Sequence, residues 1–98
     1  MEVRFSDEGL EKLETDPKAT GGFSQAVVSI FRKRMQLIRS ALDERDFYQL
    51  KSLHFEKLKG TRAHQHSMRL NDQYRLVLEF DGTAPNKVVV LISIEDYH

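Results

Sequence analysis

The sequence contains no cysteine, and it has no long apolar run. Without cysteine the chain cannot form a disulfide, a thiolate zinc site or a thiol nucleophile, so packing must supply its stability. No run approaches the roughly 20 apolar residues that cross a bilayer. The first four residues also lack the basic and then apolar layout of a signal peptide. These absences predict a cytoplasmic protein that does not contact a membrane.

The composition is typical of a globular protein, with 40% hydrophobic and 31% charged residues in a chain of 98. A disordered segment would have a lower apolar fraction than this. The length suits one hydrophobic core and is too short for two. We therefore predict a single domain that spans residues 1–98.

The net charge is zero, but the charges are unevenly distributed along the chain. Residues 17–50 carry an excess of three positive charges and residues 51–75 an excess of four, whereas both ends are acidic. A basic face built from the middle of the chain is the electrostatic feature expected of a nucleic-acid site. The same pattern is equally common on a merely solvated surface.

Apolar periodicity predicts helices in the first half of the chain and strands in the second. Ser6 and Ser24 are the predicted N-caps of the two helices, and residues 43–53 are predicted to be a connector with a short 3₁₀ segment. The predicted helices are 7–15 and 24–42, and the predicted strands are 2–5, a brief edge strand between Phe55 and Leu58, 66–71, 74–80 and 87–95. The order predicts an α+β fold, with two amino-terminal helices packed on one face of a small, mostly antiparallel sheet.

The opposite sheet face is where polar side chains of the last strands would converge, because alternate residues share a face. Glu56, Lys59, Arg75 and the terminal Asp96, Tyr97 and His98 are the candidates for catalysis. Such groups suit RNA cleavage by the 2′-hydroxyl, which needs a base, cations for the phosphoryl charge and an acid for the leaving oxygen. Arg75 offers a planar fork for phosphate, and Tyr97 offers a ring to stack on a base.

Other polar residues of the same region are predicted to contact RNA. They are Lys57, Arg62, His64, His66 and Arg69. His64 and His66 stand at strand spacing, but they have no clear third ligand, so we predict neither a metal site nor any other cofactor. A competing interpretation is that Glu56, Lys57 and Lys59 form only a charged strand edge that discourages aggregation. No phosphate-binding glycine loop, serine nucleophile motif or helical zinc-protease motif is present.

Three runs of the sequence resemble one protein family. Residues 55–60 (FEKLKG), 62–76 (RAHQHSMRLNDQYRL) and 94–98 (IEDYH) are similar to the HigB toxins of the RelE/ParE superfamily. The close resemblance covers residues 55–98, whereas the amino-terminal helices agree only in order and approximate length. It implies a RelE-like fold and a toxin of a type II toxin–antitoxin system.

The resemblance implies a ribosome-dependent mRNA endoribonuclease that cuts translated messages in the ribosomal A site. Its implied partners are the 70S ribosome, mRNA and a HigA-like helix-turn-helix antitoxin. The toxin would contact operator DNA only indirectly, through this antitoxin. By position, Lys59 corresponds to the family's catalytic lysine, and Gln73 to an active-site amide. Arg75 corresponds to the phosphate-binding arginine. Asp96, Tyr97 and His98 correspond to the functional tail.

Two departures from the family leave the chemistry open. Glu56 stands where some members have histidine, so either Glu56 or His98 would carry the proton, and Gln73 replaces an asparagine of some members. Two alternative functions also remain: a ParE-like toxin that binds a protein target such as gyrase without cutting RNA, and an RNA-binding module that has lost catalysis.

Overall fold

A computed structural model describes residues 1–97. Three helices precede most of the sheet, and two short 3₁₀ turns flank the second strand. The helices are α1 (Glu8–Thr15), α2 (Gln25–Ser40) and α3 (Arg45–Gln49), and the 3₁₀ turns are Lys51–Leu53 and Gly60–Arg62. The strands are β1 (Glu2–Phe5), β2 (Glu56–Lys57), β3 (Gln65–Arg69), β4 (Tyr74–Asp81) and β5 (Val88–Asp96).

The five strands form one sheet in the order β1-β5-β4-β3-β2. Strand β1 runs parallel to β5, whereas the other neighbours are antiparallel, so the predicted mostly antiparallel sheet is confirmed. Strand β3 ends at Arg69, before the predicted end at Asn71. Asn71 belongs to the turn instead, because its side-chain oxygen accepts hydrogen bonds from the backbone N–H groups of Gln73 and Tyr74.

The two long helices begin close to their predicted starts. Ser24 caps α2 as predicted, accepting from the Val27 N–H at 3.3 Å. The predicted cap of α1 was wrong, because Asp7 accepts from the Gly9 N–H at 2.9 Å and takes that role. Ser6 instead extends the pairing of β1 with β5, since its backbone N–H donates to the Leu91 carbonyl at 3.0 Å.

The connector between α2 and the sheet differs in part from its prediction. The predicted 3₁₀ segment is present, but the short helix α3 precedes it. Phe47 of α3 is fully buried, and its ring centroid lies 5.3 Å from that of Phe55. Helix α2 ends at Ser40, so Leu42, predicted to be its last apolar residue, lies outside the helix and is 90% exposed.

The core lies between the helices and one sheet face. Its fully buried members include Phe31, Met35 and Ile38 of α2 and Leu76, Leu78 and Leu91 of the sheet. Together these elements confirm the α+β class and the packing of the helices on one face. Among residues 1–97, no helix has both the length and the apolar character needed to cross a bilayer.

Candidate functional site

Two adjoining clefts open beside the sheet face that the helices leave uncovered. One has a volume of about 270 Å³, and the other about 330 Å³. Glu56 and Arg75 line both clefts, so these two side chains stand at their junction. The first cleft also contains His54, Ser67, Arg69 and Tyr97, and the second contains Lys57, Leu58, Lys59 and Arg62.

A larger cavity, of about 590 Å³, lies at the other end of the sheet. Residues 84–87 of the β4–β5 hairpin line it together with residues 42–45. It contains none of the side chains that the sequence predicts to be functional. The chemistry of the candidate site is therefore concentrated in the two smaller clefts.

A β-bulge in β5 directs the site residues of that strand to the open face. Val77 is paired with Ser93 and Leu78 with Leu91, so Ile92 is an extra residue without a partner in register. Strict alternation from the buried Leu91 would turn residues 93 and 95 toward the helices. The extra residue shifts this alternation and pairs Glu95 with Arg75 on the face of the clefts.

Arg75 lies where the two clefts meet, and some of its N–H groups form no hydrogen bond with residues 1–97. Its guanidinium carbon lies 5.7 Å from the centroid of the Tyr97 ring, within the range of a cation–π contact. Its Nη2 atom lies 3.8 Å from Glu95 Oε1, which is too far for a hydrogen bond. Its buried Nε has no hydrogen-bond partner among residues 1–97. The Nη end of this partly exposed side chain can therefore offer N–H donors to an anion in the cleft.

The end of β5 is fastened to the β3–β4 turn. The Tyr97 hydroxyl donates to the Asn71 carbonyl at 2.9 Å, and the Tyr97 N–H donates to the Gln73 carbonyl at 3.1 Å. The Gln73 side-chain amide donates to Asp96 Oδ2 at 3.0 Å. These contacts hold the Tyr97 ring beside Arg75. His98, the last predicted catalytic residue, lies outside the described residues.

The predicted cations around the clefts differ in how they are paired. Lys57 and Lys59 line the second cleft and are exposed. Arg69 lines the first cleft, and its guanidinium pairs with Asp72 and donates through Nε to the Asn71 carbonyl. Arg62 is bound to the Glu95 carboxylate through two hydrogen bonds, at 2.9 and 2.6 Å.

Two of the predicted histidines, His64 and His66, do not line the clefts. His64 lies with its Nε2 atom 3.2 Å from Glu79 Oε1, and its side chain is exposed. His66 lies on the helix side of the sheet. Its ring stacks on that of Phe55, with 5.2 Å between the ring centroids, and contacts the Phe80 ring edge-on, with 5.1 Å between the centroids. Burial lowers the pKa of His66 from its ordinary value. We interpret His66 as a packed residue and leave it out of the site.

The burial of His66 predicts that the protein loses stability in mild acid. The pKa is lower in the folded chain than in the unfolded chain, where it is about 6.5. Folding therefore favours the neutral ring, and this contribution is complete above about pH 6.5 and is lost as pH falls through the folded pKa. Glu44 opposes the shift, and Lys57 and Lys87 support it. Urea unfolding at pH 7.5 and pH 5 measures the loss.

Two histidine variants separate this effect from general acid sensitivity. His66→Phe removes the titrating group and keeps a ring in the aromatic stack, so its unfolding free energy should vary less between the two pH values. His64→Gln, at the exposed position, should keep the wild-type difference. An undiminished pH dependence in His66→Phe would refute the assignment.

The sequence interpretation missed His54, which lines the first cleft with Glu56. His54 follows the 3₁₀ turn Lys51–Leu53 and adopts a left-handed backbone conformation, with φ and ψ both 45°. Because this conformation takes His54 out of the extended segment that begins at Glu56, strand periodicity gave no signal for it. Ser67, buried in the same cleft, carries no sequence signal of its own.

The described part of the site groups the residue types that acid–base chemistry on a phosphodiester requires. Among residues 1–97, no three side chains of the metal-binding types are grouped to hold an ion. The clefts instead join a carboxylate and an imidazole, Glu56 and His54, with the cations Lys59 and Arg75. Proton carriers beside groups that stabilise negative charge are what phosphoryl transfer to an internal hydroxyl requires.

Comparison with known proteins identifies relatives along almost the whole chain. Residues 3–98 match the model of a family described as "RelE-like toxin of type II toxin-antitoxin system HigB". The chain is also similar to Toxin HigB-1 of Vibrio cholerae, with 29% identity over 87 residues, which cover 88% of this chain and 92% of the relative.

Solved structures share the fold at lower sequence identity. The YoeB/ParE toxin from Agrobacterium tumefaciens aligns over 100% of both chains with a TM-score of 0.66 and 18% identity. The YoeB-YefM complex from Staphylococcus aureus contains a chain that aligns over 100% of this chain and 97% of its own, with a TM-score of 0.59 and 22% identity. At these identities the likeness concerns the fold, and it confirms the RelE-like architecture.

Proposed function

The chain belongs to the HigB-like family of RelE-like toxins of type II toxin–antitoxin systems, and on that basis we propose that it is a ribosome-dependent mRNA endoribonuclease. In this proposal it enters the ribosomal A site and cuts the message within translated codons. The observation that carries the proposal is the shared position of Glu56 and Arg75 in both clefts, with Lys59 and Tyr97 beside them. A base, two cations and an aromatic ring thus line two adjoining clefts that meet at Glu56 and Arg75.

We assign the steps of cleavage as follows. Glu56 takes the proton of the 2′-hydroxyl while the 2′-oxygen forms a bond to the adjacent phosphorus. Arg75 and Lys59 stabilise the negative charge that builds on the phosphoryl oxygens. The bond from phosphorus to the 5′-oxygen breaks, and His54 supplies the proton to that leaving oxygen. The products are a 2′,3′-cyclic phosphate and a 5′-hydroxyl end.

The remaining site residues hold the substrate in this proposal. The exposed face of the Tyr97 ring stacks on a base, as aromatic rings do in single-stranded RNA recognition. Gln73 and Asp96 keep that ring in place through their hydrogen bond and the backbone contact beside it. Lys57 and Arg69 attract the RNA backbone at the two rims.

A toxin of this family is paired with an antitoxin. We propose a HigA-like helix-turn-helix protein as that partner, with operator DNA reached only through it. The substrate complex, translated mRNA on the 70S ribosome, places the proposed activity in the cytoplasm. We treat residues 1–98 as one toxin domain.

The proposed activity predicts cleavage that requires active translation. Purified protein added to a bacterial translation extract should cut a reporter mRNA within its translated codons, as mapped by primer extension. The same mRNA without ribosomes should remain intact, because the ribosome must position the message in the clefts. Intact mRNA in the complete extract would refute the proposal. If expression of the protein in cells arrests growth while the mRNA stays intact, the result would indicate a protein target instead.

A further inference from the structure

Arg62, which lines the second cleft, binds the Glu95 carboxylate close to Arg75. We propose that Arg62 is a positioning residue that keeps the Glu95 carboxylate away from Arg75, so that Arg75 stays available to the phosphate. This role rests on the proposed function, because it assigns Arg75 to the scissile phosphate. It differs from the RNA contact that the sequence predicts for Arg62.

Both oxygens of Glu95 are held by other groups. Oε1 accepts from Arg62 Nη1 at 2.9 Å, whereas Nη2 of Arg75 lies 3.8 Å from the same oxygen. Oε2 accepts from Arg62 Nη2 at 2.6 Å and from the Ser93 hydroxyl at 2.7 Å. The two parallel Arg62 bonds form the strong bidentate arrangement of a guanidinium with a carboxylate. Arg62 therefore holds the carboxylate that Arg75 would otherwise bind.

Arg62 is itself fixed in this orientation. Its Nε donates to Gln65 Oε1 at 2.9 Å, and the Gln65 amide donates in turn to Glu79 Oε1 at 3.1 Å. The bonds to Gln65 and Glu95 use three of the five N–H groups of Arg62, including both that face the Glu95 carboxylate. A role in holding Glu95 thus fits the contacts better than a direct role in binding phosphate.

Without Arg62, one cation close to Glu95 remains among residues 1–97, and that cation is Arg75. Arg75 and Glu95 are directly opposite each other on β4 and β5, at a distance where opposite charges pair. The hydrogen bond from Arg62 lowers the pKa of the Glu95 carboxyl against the opposing effect of burial, and the nearby charge of Arg75 also lowers it. A carboxylate and a phosphate compete for the same guanidinium fork. The freed Glu95 would therefore occupy Arg75.

A pair of substitutions gives this inference a distinctive test. Arg62→Ala should reduce the single-turnover cleavage rate on programmed ribosomes by about tenfold, because Glu95 then competes with the phosphate for Arg75. Glu95→Gln added to Arg62→Ala removes the competing charge and should restore most of the rate. If Arg62 simply contacts RNA, removing Glu95 cannot compensate for its loss. A double variant as slow as Arg62→Ala would overturn the inference.

Arg45→Ala is the matched control for losing an arginine. Arg45 also pairs with a carboxylate, Asp43, but it lies beside the distant cavity and its side chain is 83% exposed. Its removal should leave the cleavage rate unchanged within about twofold, since exposed pairs contribute little. A tenfold loss in this control would mean that the assay reports total positive charge rather than the position of Arg62.

A measurement without RNA separates this inference from the proposed function. The nitrogen resonance of the Arg75 side chain should change little on Glu95→Gln in the wild-type background. The same substitution should shift it clearly in the Arg62→Ala background, where Glu95 has moved to Arg75. Equal shifts in both backgrounds would refute the inference even if wild-type protein cuts mRNA. The reverse result, unequal shifts in a protein that does not cut mRNA, would refute the proposed function alone.

Discussion

Arg75→Ala is expected to slow mRNA cleavage on ribosomes by about 100- to 1,000-fold, the loss typical of removing one charge-stabilising donor from an active site. Arg75 lines both clefts, and its Nη2 lies 3.8 Å from Glu95 Oε1, too far for a hydrogen bond. Its donors thus remain available for the charge that develops on the phosphate. The loss should appear in the rate of a single turnover, which reports the chemical step separately from product release.

The fold should tolerate the loss of Arg75. Glu95 would keep its two hydrogen bonds from Arg62, so the substitution leaves no unpaired carboxylate behind. The unfolding transition in urea should therefore stay close to that of the wild type. Arg75→Lys keeps the charge without the planar fork, so its cleavage rate should lie between the rates of the wild type and Arg75→Ala. Cleavage by a folded Arg75→Ala protein at the wild-type rate would contradict the assignment.

Phe31→Ala is expected to have the largest effect on stability, about 3 to 5 kcal/mol. Phe31 is fully buried in α2 and belongs to the core between the helices and the sheet. The substitution leaves a cavity that the surrounding side chains fill only in part. Urea unfolding measures the loss, which is a large share of the roughly 5 to 15 kcal/mol that stabilises a typical domain.

Leu42→Ala is the matched control for Phe31→Ala. The sequence predicts that both residues lie on the apolar face of the second helix. Leu42, however, lies beyond the end of α2 and is 90% exposed. Its truncation should change the unfolding free energy by no more than about 0.5 kcal/mol. Similar losses in the two variants would contradict the packing described for α2.

The strands and long helices could be predicted because their signals are local. Period-2 alternation and turn residues mark β3 and β4, and apolar spacing with Ser24 as a cap marks α2. The end of α2 could not be read in this way, because Leu42 continues the apolar spacing past the last helical turn. The termination depends on tertiary contacts, which spacing does not record.

The predicted site was largely brought together, with Glu56, Lys59 and Arg75 around the two clefts. The orientation of Glu95 depends on the extra residue in β5, which an almost uniformly apolar run conceals. For His66, the polar residue type suggested an RNA contact, and the structure packs its ring against Phe55 and Phe80. Residue type alone does not indicate which face of a sheet a side chain occupies.

The chemical ends of the cut message test the central claim most directly. Wild-type protein and Arg75→Ala are incubated with programmed ribosomes, and the mRNA fragments are isolated for end analysis. Attack by the 2′-hydroxyl predicts a 2′,3′-cyclic phosphate on the upstream fragment and a 5′-hydroxyl on the downstream fragment, with both nearly absent for Arg75→Ala. Fragments that carry a 5′-phosphate, or equal cleavage by the two proteins, would contradict the account.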